Sequence, residues 1–348
     1  MAGRRVDEPR NQLALPRKRA NCTRYLPGQA AGHYESFFLR ANHPHRPLAF
    51  WIRYTIFSPN QRPEAALGEL WAVYFDGETG QHVAVKKEVP FSRCTFKTSE
   101  FCVEVDGGRL EPGRLGGAAA SGGHSISWGL TFSGDAKPLF MLPLELYEAA
   151  LPTAKGLVGL PLAAFNGSLH VDGEEVEVAN WVGSQNHNWG SRHTDHYAWG
   201  QVAGFDAHPD SFLEVITARL KVGDTWTPFR TLMVLRHAGE EIALNSLAQA
   251  ASARASFGYF NWEFASETND FGIEGKISAP REAFVGLTYY NPPGGHKYCL
   301  NTKIAACQLQ IVDKRPGQAR APQILSTMSR AAFEILTDDE DHGVELHV

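Results

Sequence analysis

One window of the chain concentrates groups able to do chemistry. Residues 180–206 hold Trp181, Trp189 and Trp199, three of the eight tryptophans, together with His187, His193 and His196. An imidazole exchanges a proton near neutral pH, which hydration or cyclisation of an alkene or enone requires. His187 is the leading candidate for a proton donor or hydrogen-bond anchor. The alternative is that His187 and Asn188 tie the strand between two domains by hydrogen bonds to backbone. The ring faces of Trp189 and Trp199 suit either positive charge developing on a substrate or the wall of a cavity. A solvent loop does not need this much aromatic surface, and a plain core does not need this many amides and imidazoles. A polar-tipped, aromatic-walled cavity uses both.

Other spacings are weaker. His187-x5-His193-x2-His196, with Asp195 beside it, has the residue types of a zinc site. In extended chain these histidines need not converge, and Arg192 sets a cation next to them; no metal is expected. Glu35, Glu69 and Arg53 stand among aromatic residues. A carboxyl in such surroundings has its charged form disfavoured and serves as an acid near neutral pH. The favoured alternative is that Glu69 and Arg53 form a satisfied internal ion pair. Cys299 and Cys307 have no activating neighbour and are expected as buried thiols. The company that a G-x-S-x-G, Walker-type or dinucleotide-binding pattern needs is absent.

The elements that must position these groups are strands. From Ser125 to Ser133 the chain alternates, with Ile126, Trp128, Leu130 and Phe132 on one face. Asp76-Gly77, Asp106-Gly107 and Asp172-Gly173 mark hairpin turns. If Tyr197–Phe205 is a strand, Tyr197, Trp199 and Gln201 project to one side and Ala198, Gly200 and Val202 to the other. By the same rule Trp51, Arg53 and Thr55 share a face, as do Glu69, Trp71 and Val73. Short helix is expected only around Leu244–Ala253 and Leu325–Ile335. Many short strands with regular Gly, Asp and Asn turns indicate barrels or sandwiches.

Asn186-His187-Asn188-Trp189-Gly190, followed by Tyr197-Ala198-Trp199-Gly200-Gln201, resembles the signature of the lipocalin-like superfamily of carotenoid 1,2-hydratases (hydroxyneurosporene synthases). Tocopherol cyclases and lipocalin-like Diels–Alderases are similar members of that wider group. Phe165–Gly173, Tyr289–Gly295 and Cys299–Ala305 have the form of its flanking strands. The resemblance implies two lipocalin-like barrels in tandem, a hydrophobic ligand and chemistry without a redox cofactor. It leaves the reaction open among hydration, ring closure and pericyclic cyclisation.

Bulk properties agree. A chain of 348 residues suits two domains of about 150–170 residues each. Net charge is −5 with both signs interspersed, which calls for neither nucleic acid nor an anionic membrane. No stretch reaches the roughly 20 apolar residues of a membrane helix. The first 20 residues carry charge throughout and are expected to form a loosely ordered basic arm. Five cysteines without a secretory signal point to reduced thiols in the cytoplasm.

The expected fold is all-β: two tandem lipocalin-like (calycin) antiparallel β-barrels with few short helices, at 21–185 and 186–348. The expected function is a cofactor-independent cyclase, isomerase or hydratase acting on a hydrophobic unsaturated molecule in an aromatic-lined barrel cavity. A non-catalytic carrier or sensor of such a ligand is the alternative. His187, Glu69 and Tyr197 are the candidate catalytic residues. Trp51, Arg53, Trp71, Asn188, Trp189, Trp199 and Gln201 are the candidate binding residues.

Overall fold

The computed structural model describes residues 20–317 and 321–348. The expected basic arm at 1–20 lies outside the described residues except for Ala20. Of the described residues 60% are strand and 6% helix, all pairing between the strands named below is antiparallel, and the first sheet is a nearly closed barrel while the second is a half-barrel. The tandem all-β expectation holds.

The main path of the first sheet runs, in spatial order, through His82–Pro90, Leu67–Asp76, Leu48–Ser58, His33–Asn42, Glu174–Gly190, Ala154–Val171, His124–Ser133 and Arg114–Ser121. Three short strands between Cys94 and Glu111 follow. The edges draw together where the Lys86 amide donates to Ser121 Oγ at 3.0 Å. Asp106 and Asp172 take positive φ (46° and 52°) ahead of Gly107 and Gly173, the backbone that a tight two-residue hairpin demands.

The second sheet runs through Glu240–Leu244, Arg230–His237, Phe212–Arg219, His196–Ala203, Gln323–Thr337, His296–Asp313, Phe271–Ser278, Asn261–Glu267 and Arg254–Phe257. The chain crosses between the sheets over 191–195, so the expected boundary after 185 falls inside the strand Glu174–Gly190. The short helix expected near Leu244–Ala253 is Leu247–Ser252, started by a Ser246/Gln249 capping box. The helix expected at Leu325–Ile335 is instead part of the strand Gln323–Thr337. From Ala331 to Thr337 this strand is buried on both faces, so its apolar run carries no alternation to mark it.

The same contrast explains how the halves meet. His124–Ser133 lies away from the partner sheet and alternates buried with exposed. Leu48–Ser58 is buried along nearly its whole length. Its Phe50, Ile52 and Tyr54 fill the first barrel with Phe37, Leu70, Trp128 and Phe165. Its Trp51 turns outward, with Phe38, Trp71 and Phe75, and packs on Trp199, Leu287, Tyr289, Ala332 and Leu336 of the second sheet. The second half-barrel has its own filling, including Trp262, Phe264 and Phe333. Both interiors are occupied by side chains. This corrects the expected barrel cavity: the hollow lies between the two sheets.

Candidate functional site

That hollow is a cavity of about 550 Å³. From the first sheet Tyr34, Phe38, Trp51, Arg53, Asn186 and Asn188 reach it; from the second, Tyr197, Trp199, Glu214, Ile216, Tyr289 and Glu334. Met141, Leu142, Leu157 and Leu232 add an apolar portion. Six of the ten candidate catalytic and binding residues therefore border one space: Trp51, Arg53, His187, Asn188, Tyr197 and Trp199. Glu69, Trp71, Trp189 and Gln201 do not line it.

The period of the strand decides who is left out. Asn186 and Asn188 turn toward the cavity, whereas the ring of His187 between them stacks on Phe37 of the first barrel, on the face it shares with Trp189, which points away from the cavity. Its ring packs with Ala20, Tyr147 and Leu157, and Arg24 Cζ sits 4.9 Å from its centroid. Trp71 stands behind the wall, edge-on to Trp51 and Tyr289. Gln201 lies one layer back, where it serves Glu214.

Glu214 was not foreseen. It occupies the strand Phe212–Arg219, in phase with Ile216 on the cavity side, while Leu213 and Val215 fill the half-barrel. Trp199 Nε1 donates to its Oε1 at 2.8 Å and Gln201 Nε2 to its Oε2 at 2.7 Å. Burial raises the carboxyl to about 7, against the lowering effect of those two donors and of Arg40; the Glu334 charge raises it further. Glu214 is thus a buried acid that changes charge near neutrality, the property general acid–base chemistry needs. The signal was a single acidic residue among the apolar positions Phe212, Leu213, Val215 and Ile216.

Arg53 marks another part of the wall. It is 4% exposed, and its Nε has no hydrogen-bond partner. Among the described residues no carboxylate lies within ion-pair distance of it. The expected Arg53–Glu69 pair does not form, because Glu69 Oε1 sits 3.0 Å from Lys86 Nζ and its Oε2 accepts from Trp71 Nε1 at 3.1 Å. Glu69 borders only a small adjoining recess. Arg53 instead stacks on Tyr289 at 4.3 Å, with Trp51 and Trp71 at 5.9 Å. Such contacts contribute about 0.5–2 kcal/mol. Burying a cation costs several, so the aromatic faces offset only part of it.

Around Arg53 the neighbours are held neutral. Burial pushes the Tyr34, Tyr197 and Tyr289 hydroxyls above their ordinary value. His193, stacked on Tyr34 at 3.9 Å, is driven down to about 3 by burial and then by the charges of Arg53 and Lys297. Glu334, in contrast, has its counter-ion: Lys303 Nζ lies 2.7 Å from its Oε1.

His187 is fully buried and bound at both ends. Its Nε2 is 2.8 Å from Glu35 Oε1 and its Nδ1 is 2.6 Å from the Ala20 carbonyl. Its ring stacks on Phe37 at 4.1 Å. Glu35 also accepts from the amides of Arg24 and Tyr25 and from His33 Nε2. Burial alone raises the Glu35 carboxyl, but the bonds and charges of His187 and His33 overcome this and leave it at about 2. His187 therefore joins strand to N-terminal segment through a fixed carboxylate. His196 faces Arg219 at 3.1 Å. Among the described residues no group of three His, Cys, Asp or Glu side chains is arranged to hold a metal ion.

The expected kinship holds at the level of the fold. Over about 90% of this chain the structure matches an AttH protein from Nitrosomonas europaea (TM-score 0.57, 12% identity, 98% of that chain). It also matches kievitone hydratase from Nectria haematococca (TM-score 0.54, 11% identity, 90% of each chain). In sequence it is 25% identical, over 313 residues, to uncharacterised proteins of Mycobacterium tuberculosis strains CDC 1551 and H37Rv, spanning 89% of this chain and 88% of theirs. No protein-family model matches.

Proposed function

We propose that this protein is an enzyme that moves a proton to or from a hydrophobic, unsaturated small molecule held between the two sheets, and so hydrates, isomerises or cyclises it. One observation carries the reading: a buried carboxyl, Glu214, borders the cavity and titrates at about 7.

In its neutral form Glu214 delivers its proton to one carbon of a double bond as the π bond breaks. Water, or a nucleophile within the substrate, then bonds to the other carbon and returns a proton to the carboxylate. In an isomerisation the returning proton comes from a neighbouring carbon. The cycle ends with Glu214 as it began and consumes no redox equivalent, so no redox cofactor is called for. A positioned acid of this kind contributes roughly a hundredfold or more in rate. Trp199 and Gln201 fix the carboxyl, Tyr197 offers a neutral hydroxyl to a substrate oxygen, and Trp51 and Phe38 shape the apolar body. His187 acts as a positioning residue through Glu35. Glu69, paired with Lys86, takes no part. The likeness in fold to a protein named as a hydratase supports hydration as one member of this set.

A carrier of the same ligand gains nothing from an ionisable carboxyl on its cavity wall. Purified protein and its Glu214→Gln variant, each incubated with a metabolite extract of its own cells, separate the two by mass spectrometry. The enzyme converts at least one hydrophobic compound into an isomer or a water adduct, and the variant does so at least tenfold more slowly. Compounds returned intact, or equal conversion by the variant, would overturn the proposal.

A further inference from the structure

The wall of the cavity is charged asymmetrically. Arg53, Lys155, Arg219 and Arg230 contribute to the lining, against Glu214 and Glu334. Glu334 is already matched by Lys303, and Glu214 is protonated for much of the time at neutral pH. Arg53 is the deeply buried member of the basic set, and among the described residues no carboxylate lies within ion-pair distance of it; the charges of Glu69 and Glu334 favour it from farther off. Its Nε is joined by two more donors without partners on the same strand face, Trp51 Nε1 and Thr55 Oγ1. Positions 51, 53 and 55 share that face because side chains alternate along a strand. Trp51 and Arg53 border the main cavity, while Thr55 borders the small adjoining recess that Arg53 and Glu69 share; none of the three donors has a hydrogen-bond partner. Buried polar groups in native folds are ordinarily satisfied, and a cluster of exceptions beside a cavity marks a place for a ligand acceptor.

We propose that the ligand of this cavity carries an acidic oxygen head, a carboxylate or an enolate, which binds Arg53 while its apolar body lies along Phe38, Ile216 and Leu232. The surroundings suit such a head. A guanidinium offers paired donors to two oxygens. Tyr34, Tyr197 and Tyr289 border the same cavity with neutral hydroxyls, and the neutral His193 ring is packed between Tyr34 and Tyr289. Glu69, the nearest carboxylate on the neighbouring strand, is kept from the role by Lys86. This deepens the proposed function by naming a substrate class, and it relies on that reading only for the place of binding.

The test is binding of matched acid and neutral probes, followed by fluorescence. cis-Parinaric acid is compared with its methyl ester, and a long-chain 1,3-diketone with its enol methyl ether, above the pH at which each acid ionises. The wild-type protein is expected to bind at least one acid tenfold or more tightly than its neutral partner. Which pair shows the preference identifies the head. Arg53→Met should abolish that preference while leaving the neutral probe within about twofold, and Arg53→Lys should keep part of it. Equal affinity for acid and neutral forms, a preference that survives Arg53→Met, or failure to bind any of the four probes overturns the inference. The wild-type comparison stands by itself should Arg53→Met not fold. Loss of acid preference with turnover still dependent on Glu214 removes this inference alone; acid binding without any turnover removes only the enzymatic reading.

Discussion

Nε1 of Trp199 lies 2.8 Å from Oε1 of Glu214, so an indole on one strand steadies a carboxyl on the next at the edge of the cavity. That bond favours the charged carboxylate and opposes the effect of burial. Trp199→Phe removes the donor and keeps an aromatic ring in place. The Glu214 carboxyl should then rise above 7, and the pH at which activity changes should move upward with it. A pH–rate profile of the variant that overlays the wild type contradicts this coupling.

Glu214→Gln keeps the shape of the side chain and its contact with Trp199 but cannot exchange a proton. Turnover should fall by about a hundredfold, with the limb of the pH profile near 7 lost. Binding of a hydrophobic probe should be little changed, since the variant removes chemistry and leaves the walls. Steady-state kinetics across pH 5–9, once a substrate is in hand, decides the matter.

Two buried carboxyls link stability to pH in opposite senses. Glu35, held at about 2 against an ordinary value near 4.5, contributes stability that is complete above 4.5 and is lost as pH falls toward 2. Glu214, raised to about 7, behaves in the opposite sense: its contribution is complete below 4.5 and is lost as pH rises to 7. That second loss is on the order of 3 kcal/mol. His193, held neutral down to about 3, works against this by losing stability as pH falls below 6.5, so the Glu214 contribution is read as a difference: wild type minus Glu214→Gln in denaturant unfolding should decline by that amount between pH 4.5 and 7. A decline of equal size in the variant assigns it to other groups.

His187→Ala should cost stability first. It opens a hole beside Phe37 and takes from Glu35 one of its hydrogen bonds, leaving a buried carboxylate less well compensated. The expected loss is about 3 kcal/mol, with the Ala20–Tyr25 segment released because the imidazole no longer reaches the Ala20 carbonyl. Hydrogen exchange should therefore accelerate at the Arg24 and Tyr25 amides. Unchanged exchange there, with activity abolished, would move His187 into the chemistry.

The architecture was legible wherever one face of a strand meets water. Ile126, Trp128, Leu130 and Phe132 declare their strand because Ser125, Ser127, Gly129 and Thr131 separate them. Where two barrels press together the alternation vanishes, as it does over the second half of Leu325–Ile335, which suggested helix and is strand. The site divided along the same line. Tyr197 and Trp199 were placed together correctly by strand period, with Ala198 and Val202 facing the half-barrel interior. Trp189 belongs to the same motif yet faces the other way, and motif membership carries no information about facing. Glu214 and Glu334 are each the single acidic residue of their strand; only the packing of one sheet against the other shows that both border the hollow. Glu69 shares a strand face with Trp71, but Lys86 from the adjoining strand claims its charge, a pairing set by sheet order that the residue spacing does not reveal.

The protonation of Glu214 can be read without a substrate. Infrared difference spectra of the protein across pH 5–9, compared with Glu214→Gln, isolate the stretch of a single protonated carboxyl. A band present at pH 5, lost with a midpoint near 7 and missing from the variant is the expected result. A carboxylate already ionised at pH 5 would leave the cavity without its proton carrier and contradict the proposed chemistry.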